Sequence, residues 1–189
     1  MSPATPTARC NANLKRRGSV NRFVIHGQKH HPRCLGRHHA LARKTPPPSW
    51  SDSDDFVASF DIRCSCGNAE LEVVGIPDDE LGLYSPITTR CPSCRNEELL
   101  FDVTKHGHDV EIGAGSSYAA RDGETHALGC KSCGNTTHSV LPWFTYQFES
   151  DDLADVPSTE VANYFDVFGI DLVCRKCGTV NHVGSYECA

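Results

Sequence analysis

Cys91-Pro92-Ser93-Cys94 decides how this chain is read, once three counterparts are set beside it: Cys64-Ser65-Cys66-Gly67, Cys130-Lys131-Ser132-Cys133-Gly134 and Cys174-Arg175-Lys176-Cys177-Gly178. Eight of the eleven cysteines fall in these four tight pairs. Two residues between cysteines make a turn that aims both sulfurs at one centre, with Zn–S bonds of about 2.3 Å. Glycine after the second cysteine permits the positive φ that closes such a turn. Gly67, Gly134 and Gly178 fit this rule, and Arg95 does not. The first pair is also shorter, C-x-C in place of C-x-x-C. Four thiolates complete a tetrahedron, so four knuckles predict two closed metal sites.

Taken sequentially, Cys64, Cys66, Cys91 and Cys94 hold one ion and Cys130, Cys133, Cys174 and Cys177 the other, across 24 and 40 intervening residues. The alternative is nested, with Cys91/Cys94 joined to Cys130/Cys133 across 35 residues. Sequential pairing follows from the tendency of consecutive elements to be neighbours in space. Zinc is expected over iron from abundance and from the structural setting. Binding at such sites is worth about 10–16 kcal/mol, comparable to a whole domain's stability. Cys10, Cys34 and Cys188 are left over as free thiols.

Charge divides the chain. Residues 1–50 carry ten Lys/Arg and no Asp or Glu, leaving eight of the 18 basic and all 24 acidic residues to the other 139, a balance of −16. Each four-thiolate zinc site adds about two further negative charges. An acidic surface repels phosphates, so the body is a poor nucleic-acid binder by electrostatics alone. No apolar run reaches the roughly 18–20 residues of a membrane span, and no apolar h-region follows Lys15-Arg16-Arg17. Reduced thiolates need a reducing compartment, which places the protein in the cytoplasm.

Residues 1–54 lack hydrophobic periodicity and close on Pro46-Pro47-Pro48. They are expected as a disordered basic tail and linker. A transit peptide, or translation from an upstream start, gives the same composition, and a basic arm touching nucleic acid or an acidic partner is the functional alternative. His30-His31, Cys34 and His38-His39 form an extra candidate metal cluster, with scattered histidines in a disordered arm as the bland reading.

The body is expected as a small metal-stabilised β fold of short antiparallel strands, two zinc ribbons at 55–115 and 116–189. Phe56 to Ile62 alternates as a half-buried strand. Leu99–Val103 and Val110–Ile112 flank Lys105-His106-Gly107-His108 as a hairpin. Strands at Thr136–Leu141 and Trp143–Phe148 part at Pro142, with about two of Trp143, Phe144, Tyr146 and Phe148 exposed for contacts. Ser158 caps a short helix through Tyr164. Gly113–Ser117 lacks the Gly-Lys-Ser/Thr of a phosphate loop. Asp61-Ile62-Arg63-Cys64 is similar to Asp171-Leu172-Val173-Cys174, a faint internal repeat.

On its four knuckles, residues 61–184 resemble a pair of zinc ribbons of the rubredoxin-like class, which implies fold and metal but hosts too many functions to imply one. Cys91-Pro92-Ser93-Cys94 resembles half of a rubredoxin iron site, while the C-x-C half departs from it. Separately, Cys64-x-Cys66 followed by Cys91-x-x-Cys94 is similar to the redox switch of the redox-regulated heat-shock chaperones. That resemblance covers four residues and lacks the family's substrate-binding domain. It implies Cys64–Cys66 and Cys91–Cys94 disulfides on oxidation, with zinc released.

Closed four-cysteine sites leave no open position for a catalytic water. His106, His108, His126, His138 and His182 stand in no triad and no HExxH motif. The expectation is therefore a non-enzymatic zinc-ribbon binding module for a protein partner, or for nucleic acid through residues 1–50. A zinc-thiolate redox sensor that loses metal from the first site is the alternative, and a metal store a remote third.

Overall fold

The structure, a computed structural model, describes Leu35 and residues 38–43, 56–78, 82–106, 123–146, 165 and 167–187. Its strands are β1 (His39–Ala42), β2 (Phe56–Arg63), β3 (Glu72–Asp78), β4 (Gly82–Arg90), β5 (Glu97–Phe101), β6 (His126–Ala127), β7 (His138–Tyr146), β8 (Val167–Cys174) and β9 (Val180–Glu187). One helical turn, α1 (Val103–His106), follows β5. The strands form two antiparallel sheets, ordered β1-β2-β7-β8-β9 and β5-β4-β3-β6. This is the small β fold that the knuckles and short alternating segments imply. No helix among the described residues is long and apolar enough to cross a membrane.

Period-two patterning places the core between the sheets. Ala58, Phe60 and Ile62 of β2, and Phe168, Ile170 and Leu172 of β8, share one buried cluster with Val73, Leu83, Ile87, Leu100 and Phe101 of the four-stranded sheet. Phe101 stacks on Phe168 across the gap, with ring centroids 4.2 Å apart. Phe144 sits centrally against Phe60, Phe165 and Phe168. Gly169 is required where it stands, because a Cβ there would lie 2.1 Å from the Trp143 ring.

The topology is a duplication with an exchanged strand. β3-β4-β5 and β7-β8-β9 are two three-strand meanders, each preceded by an entering strand, β2 or β6. Each meander is completed by the other's entering strand: β2 pairs with β7, from Phe56↔Tyr146 to Ser59↔Trp143, and β6 pairs with β3, at Val74↔Ala127 and Gly75↔His126. Where the meanders begin, Leu71 and His138 form an antiparallel bridge. The boundary expected at 115/116 lies outside the described residues, and strand pairing joins the segments on either side of it. The correspondence is also not the one read from Asp61–Cys64 and Asp171–Cys174: topology matches the first knuckle to the third and the second to the fourth.

Other local expectations are corrected. Within residues 1–54, β1 pairs with β2 from His39↔Arg63 to Ala42↔Phe60, Leu35 is fully buried, and Arg43 reaches Asp61 at 3.3 Å. The remaining residues of 1–54 lie outside the described set. β7 runs unbroken through Pro142. The β2–β7 ladder stops at Trp143, so the N–H missing at Pro142 falls where β2 no longer pairs, and the β8 ladder is kept. Trp143, Phe144 and Tyr146 are all buried, because both faces of β7 are covered; Phe148 lies outside the described residues. Val103–His106 closes as a helical turn on Asp102, whose carbonyl accepts from Lys105 and His106, and the rest of the expected hairpin lies outside the described residues. Residues 107–122, 147–164 and 188–189, with the Gly113–Ser117 loop, the helix from Ser158 and Cys188, lie outside the described residues, as do Cys10 and Cys34.

Candidate metal centres

All four knuckles are built by the same two backbone bonds. The first cysteine's N–H donates to a carbonyl beyond the turn: Cys64 to Asn68, Cys91 to Asn96, Cys130 to Asn135 and Cys174 to Thr179, at 2.8–2.9 Å. The residue after the second cysteine then donates back to the first: Gly67, Arg95, Gly134 and Gly178, each at 2.8–2.9 Å. That residue has φ of 89°, 61°, 69° and 75° respectively. Arg95 therefore takes the left-handed conformation despite its Cβ, at a cost of about 1–2 kcal/mol.

The turns bring the sulfurs together in the sequential pairing. Cys64, Cys66, Cys91 and Cys94 form one group and Cys130, Cys133, Cys174 and Cys177 the other, every sulfur within 4.8 Å of its three partners. The closest pairs are Cys64–Cys94 at 3.4 Å, and Cys66–Cys91, Cys130–Cys177 and Cys133–Cys174 at 3.6 Å. A tetrahedron with metal–sulfur bonds of about 2.3 Å has edges of about 3.8 Å. A disulfide would need about 2.05 Å. The residues present fit a divalent ion held by four thiolates, and among the described residues no histidine or carboxylate joins either group.

Each centre combines one knuckle that crosses between sheets with one at a hairpin tip. In the first, Cys64 follows β2 of the five-stranded sheet and Cys91 follows β4 of the four-stranded sheet. In the second, Cys130 follows β6 of the four-stranded sheet and Cys174 ends β8 of the five-stranded sheet. Each centre thus pins the two sheets to one another at opposite strand connections.

Three asparagines missed by the sequence reading support the sulfurs. Asn68 donates its amide to Cys91 at 3.5 Å and to the Glu70 carbonyl at 2.8 Å. Asn135 does the same toward Cys174 at 3.6 Å and the Thr137 carbonyl at 2.7 Å. Asn181, itself buried, donates to Cys130 at 3.6 Å and accepts from the Lys131 N–H at 3.0 Å. The signal for the first two was present in the repeated Cys-Gly-Asn of Cys66-Gly67-Asn68 and Cys133-Gly134-Asn135.

Within each knuckle the first cysteine is buried; the second is exposed except Cys133, which is half-buried. Burial raises the Cys91 thiol, but the N–H groups of Cys94 and Ser93 and the Asn68 amide outweigh it and bring it to about 6. Cys174 likewise falls to about 6, where burial is outweighed by the N–H groups of Cys177 and Lys176. The Asn96 N–H lowers Cys94, yet the neighbouring sulfurs and burial push it up to about 12. Cys133 is pushed up to about 11 against the Asn135 N–H, by burial and by the sulfurs of Cys177, Cys174 and Cys130. Four thiols this close cannot all ionise without a counter-charge, which a divalent cation would supply.

The histidines lie elsewhere. His38 is buried, donates from Nδ1 to the Leu35 carbonyl at 2.6 Å, and accepts at Nε2 from the Thr89 hydroxyl at 2.7 Å. It fastens the β1 segment beside Cys64 and Cys91, with both ring nitrogens engaged, while His30, His31 and Cys34 of the extra candidate cluster lie outside the described residues. His39 is exposed on β1, and His108 also lies outside the described residues. His106 accepts from the Asp102 N–H, and its pKa is lowered by burial. His126 is exposed on β6. His182 donates from Nδ1 to the buried Asp171 at 3.0 Å and stacks on Trp143. His138 is fully buried with no hydrogen bond of ordinary geometry at either ring nitrogen. Burial lowers its pKa, and the nearby Thr136 backbone only partly opposes this.

Compared with known protein families, curated proteins and solved structures, the chain matches none. The class it falls in is set by its own geometry: a small β protein with two four-cysteine, ribbon-like centres that can hold metal.

Proposed function

We propose that the protein is a zinc-binding, non-enzymatic double zinc-ribbon module whose two Zn2+ ions are structural, held by Cys64, Cys66, Cys91 and Cys94 and by Cys130, Cys133, Cys174 and Cys177. The observation that carries this reading is the composition of the two groups: four sulfurs each, with no nitrogen or oxygen donor among them. Such a cage leaves no position for a reacting water. When bound, zinc supplies charge neutralisation and cross-linking. The chain's own residues hold the thiolates in place through the knuckle bonds and the three asparagine amides.

The module's partner is a protein with a basic surface, matched to the −16 balance of the body, while residues 1–50 give a second, salt-dependent contact to nucleic acid. A reducing compartment, the cytoplasm, keeps the eight thiols available. Elemental analysis of purified protein tests the metal reading, with two zinc ions per chain expected. A pull-down with the full chain, repeated with residues 1–34 deleted so that Leu35, His38 and β1 stay in place, tests the partners. Nucleic-acid retention at low salt that survives the deletion would contradict the assignment to the arm.

One observation favours a second reading, a thiolate redox sensor at the first centre. There both second-position cysteines, Cys66 and Cys94, are exposed, whereas the second centre exposes Cys177 and half-buries Cys133. Mild peroxide would then release one ion per chain before the other, and the resemblance to the redox-regulated heat-shock chaperones implies Cys64–Cys66 and Cys91–Cys94 as the disulfides formed. Retention of both ions through complete peroxide treatment would rule it out.

A further inference from the structure

The two centres are joined by a short, fully buried path. Leu71 is 1 % exposed and shares one buried cluster with Cys64 and Cys91 of the first centre. It exchanges two backbone bonds with His138, Leu71 N–H to the His138 carbonyl at 2.9 Å and the reverse at 2.8 Å. His138 is in turn the strand partner of Cys174 in the second centre. Leu71 and His138 occupy equivalent places, each five residues after the second cysteine of its crossing knuckle. Further polar links flank the bridge. Arg175, inside the fourth knuckle, pairs with Glu70 at 3.2 Å, and its N–H donates to the Thr137 carbonyl at 3.2 Å. Thr136 donates to Glu72 at 3.2 Å.

Strand exchange makes this path matter. Closing the first centre fixes the end of β2 against the β4–β5 tip, and β2 also pairs with β7, which leaves the second centre's crossing knuckle. Closing the second fixes β6 against the β8–β9 tip, and β6 pairs with β3, which leaves the first centre's crossing knuckle. Neither centre can be ordered without ordering a strand that the other needs. We propose that metal binding at the two centres is positively coupled through the Leu71–His138 bridge and the exchanged strands, so that an ion at one site raises the affinity of the other. This rests on the reading that both sites take metal. The coupling is a property of binding free energies and is reciprocal: the factor by which the first site helps the second equals that by which the second helps the first.

The test is native mass spectrometry of the full chain during Zn2+ titration from metal-free protein. Two equal, independent sites put about half of the molecules in the singly loaded state at half saturation, whereas tenfold coupling cuts that to about a quarter. The expected result is a singly loaded population of a quarter or less, with empty and doubly loaded chains dominating. A singly loaded population of half or more, together with an unchanged second-site affinity in the variant lacking Cys91 and Cys94, overturns the proposal while leaving both sites standing, because unequal sites by themselves also raise that population. No retained ion at all removes the metal reading and the proposal together. Leu71→Ala, which removes no metal ligand and empties a buried position between the centres, is expected to raise the singly loaded fraction toward half. Cys91→Ser with Cys94→Ser is expected to weaken Zn2+ binding at the intact second site at least tenfold, read by competition with a chromophoric chelator. An unchanged second-site affinity there counts against coupling. If the double variant does not fold, the comparison of the wild-type and Leu71→Ala titrations decides, and an unchanged singly loaded fraction in Leu71→Ala counts against coupling.

Discussion

At the second centre both knuckles close on glycines, Gly134 and Gly178, and two amides reach the sulfurs, from Asn135 and Asn181. At the first, the equivalent of Gly178 is Arg95, one knuckle is a residue short, and the equivalent of Asn181, seven residues after the hairpin's first cysteine, is Glu98. Glu98 accepts from Asn96 through Oε1, while its Oε2 is buried with no hydrogen bond and lies 3.8 Å from His38 Nδ1. The first centre also has an added chain segment beside it: His38 lies against Cys64 and Cys91, and Leu35 shares their buried cluster, with β1 paired to β2. The frame of turn bonds and sulfur positions is the same in both. What differs is how the thiolates are shielded, by two side-chain amides at the second centre and by one, from Asn68, together with an added chain segment at the first.

The largest effect should come from removing a centre outright. Cys174→Ser with Cys177→Ser forfeits an interaction worth about 10–16 kcal/mol in a fold whose net stability is of order 5–15 kcal/mol. The expected outcome is loss of the cooperative thermal transition by circular dichroism, in both sheets and not only in β8–β9. A variant that keeps the β3–β4 pairing, seen as protected amides in hydrogen exchange, would show that the centres serve separate units. Next in size is Phe144→Ala, which empties the middle of the shared core and should cost about 3–5 kcal/mol in urea unfolding. Its single transition should shift as one; a split into two transitions would break the picture of a common interior.

Smaller changes sharpen the contrast between the centres. Asn135→Ala removes an amide from Cys174 and leaves the ligands intact, so second-site Zn2+ affinity should fall about 10–100-fold, measured by chelator competition. Asn68→Ala should do the same at the first site and report whether the β1 cover compensates. The smallest effect belongs to the turn residues. Gly134→Ala meets no atom within 4 Å, so its cost is conformational, about 1–2 kcal/mol. Arg95→Gly relieves that strain and pays back part of it in unfolded-chain entropy, leaving stability within about 1 kcal/mol of wild type in the same denaturant experiment.

The sulfur positions were legible in the sequence because metal-binding spacing is a local property: two residues between ligands dictate a turn whatever lies around it. The strand alternation at Phe56–Ile62 was legible for the same reason, since one covered face imposes a period of two. Strand exchange was not. β6 is two residues long, His126–Ala127, too short to carry any periodicity, and the partner of β2 lies some eighty residues away on β7. Nor did the sequence show β1. His39–Ala42 sits in a basic stretch without apolar rhythm, and its place is fixed by single contacts of Leu35, His38 and Arg43. The aromatics of β7 were read as half exposed because alternation assumes one wet face, and here both faces are covered.

Both centres are groups of four sulfurs with no other donor among the described residues. X-ray absorption at the zinc edge, on protein purified under reducing conditions, tests this most directly. It should give two zinc ions per chain, each with four sulfur neighbours at about 2.3 Å and no light-atom shell. A nitrogen or oxygen neighbour at either ion, or fewer than two ions per chain, would contradict it.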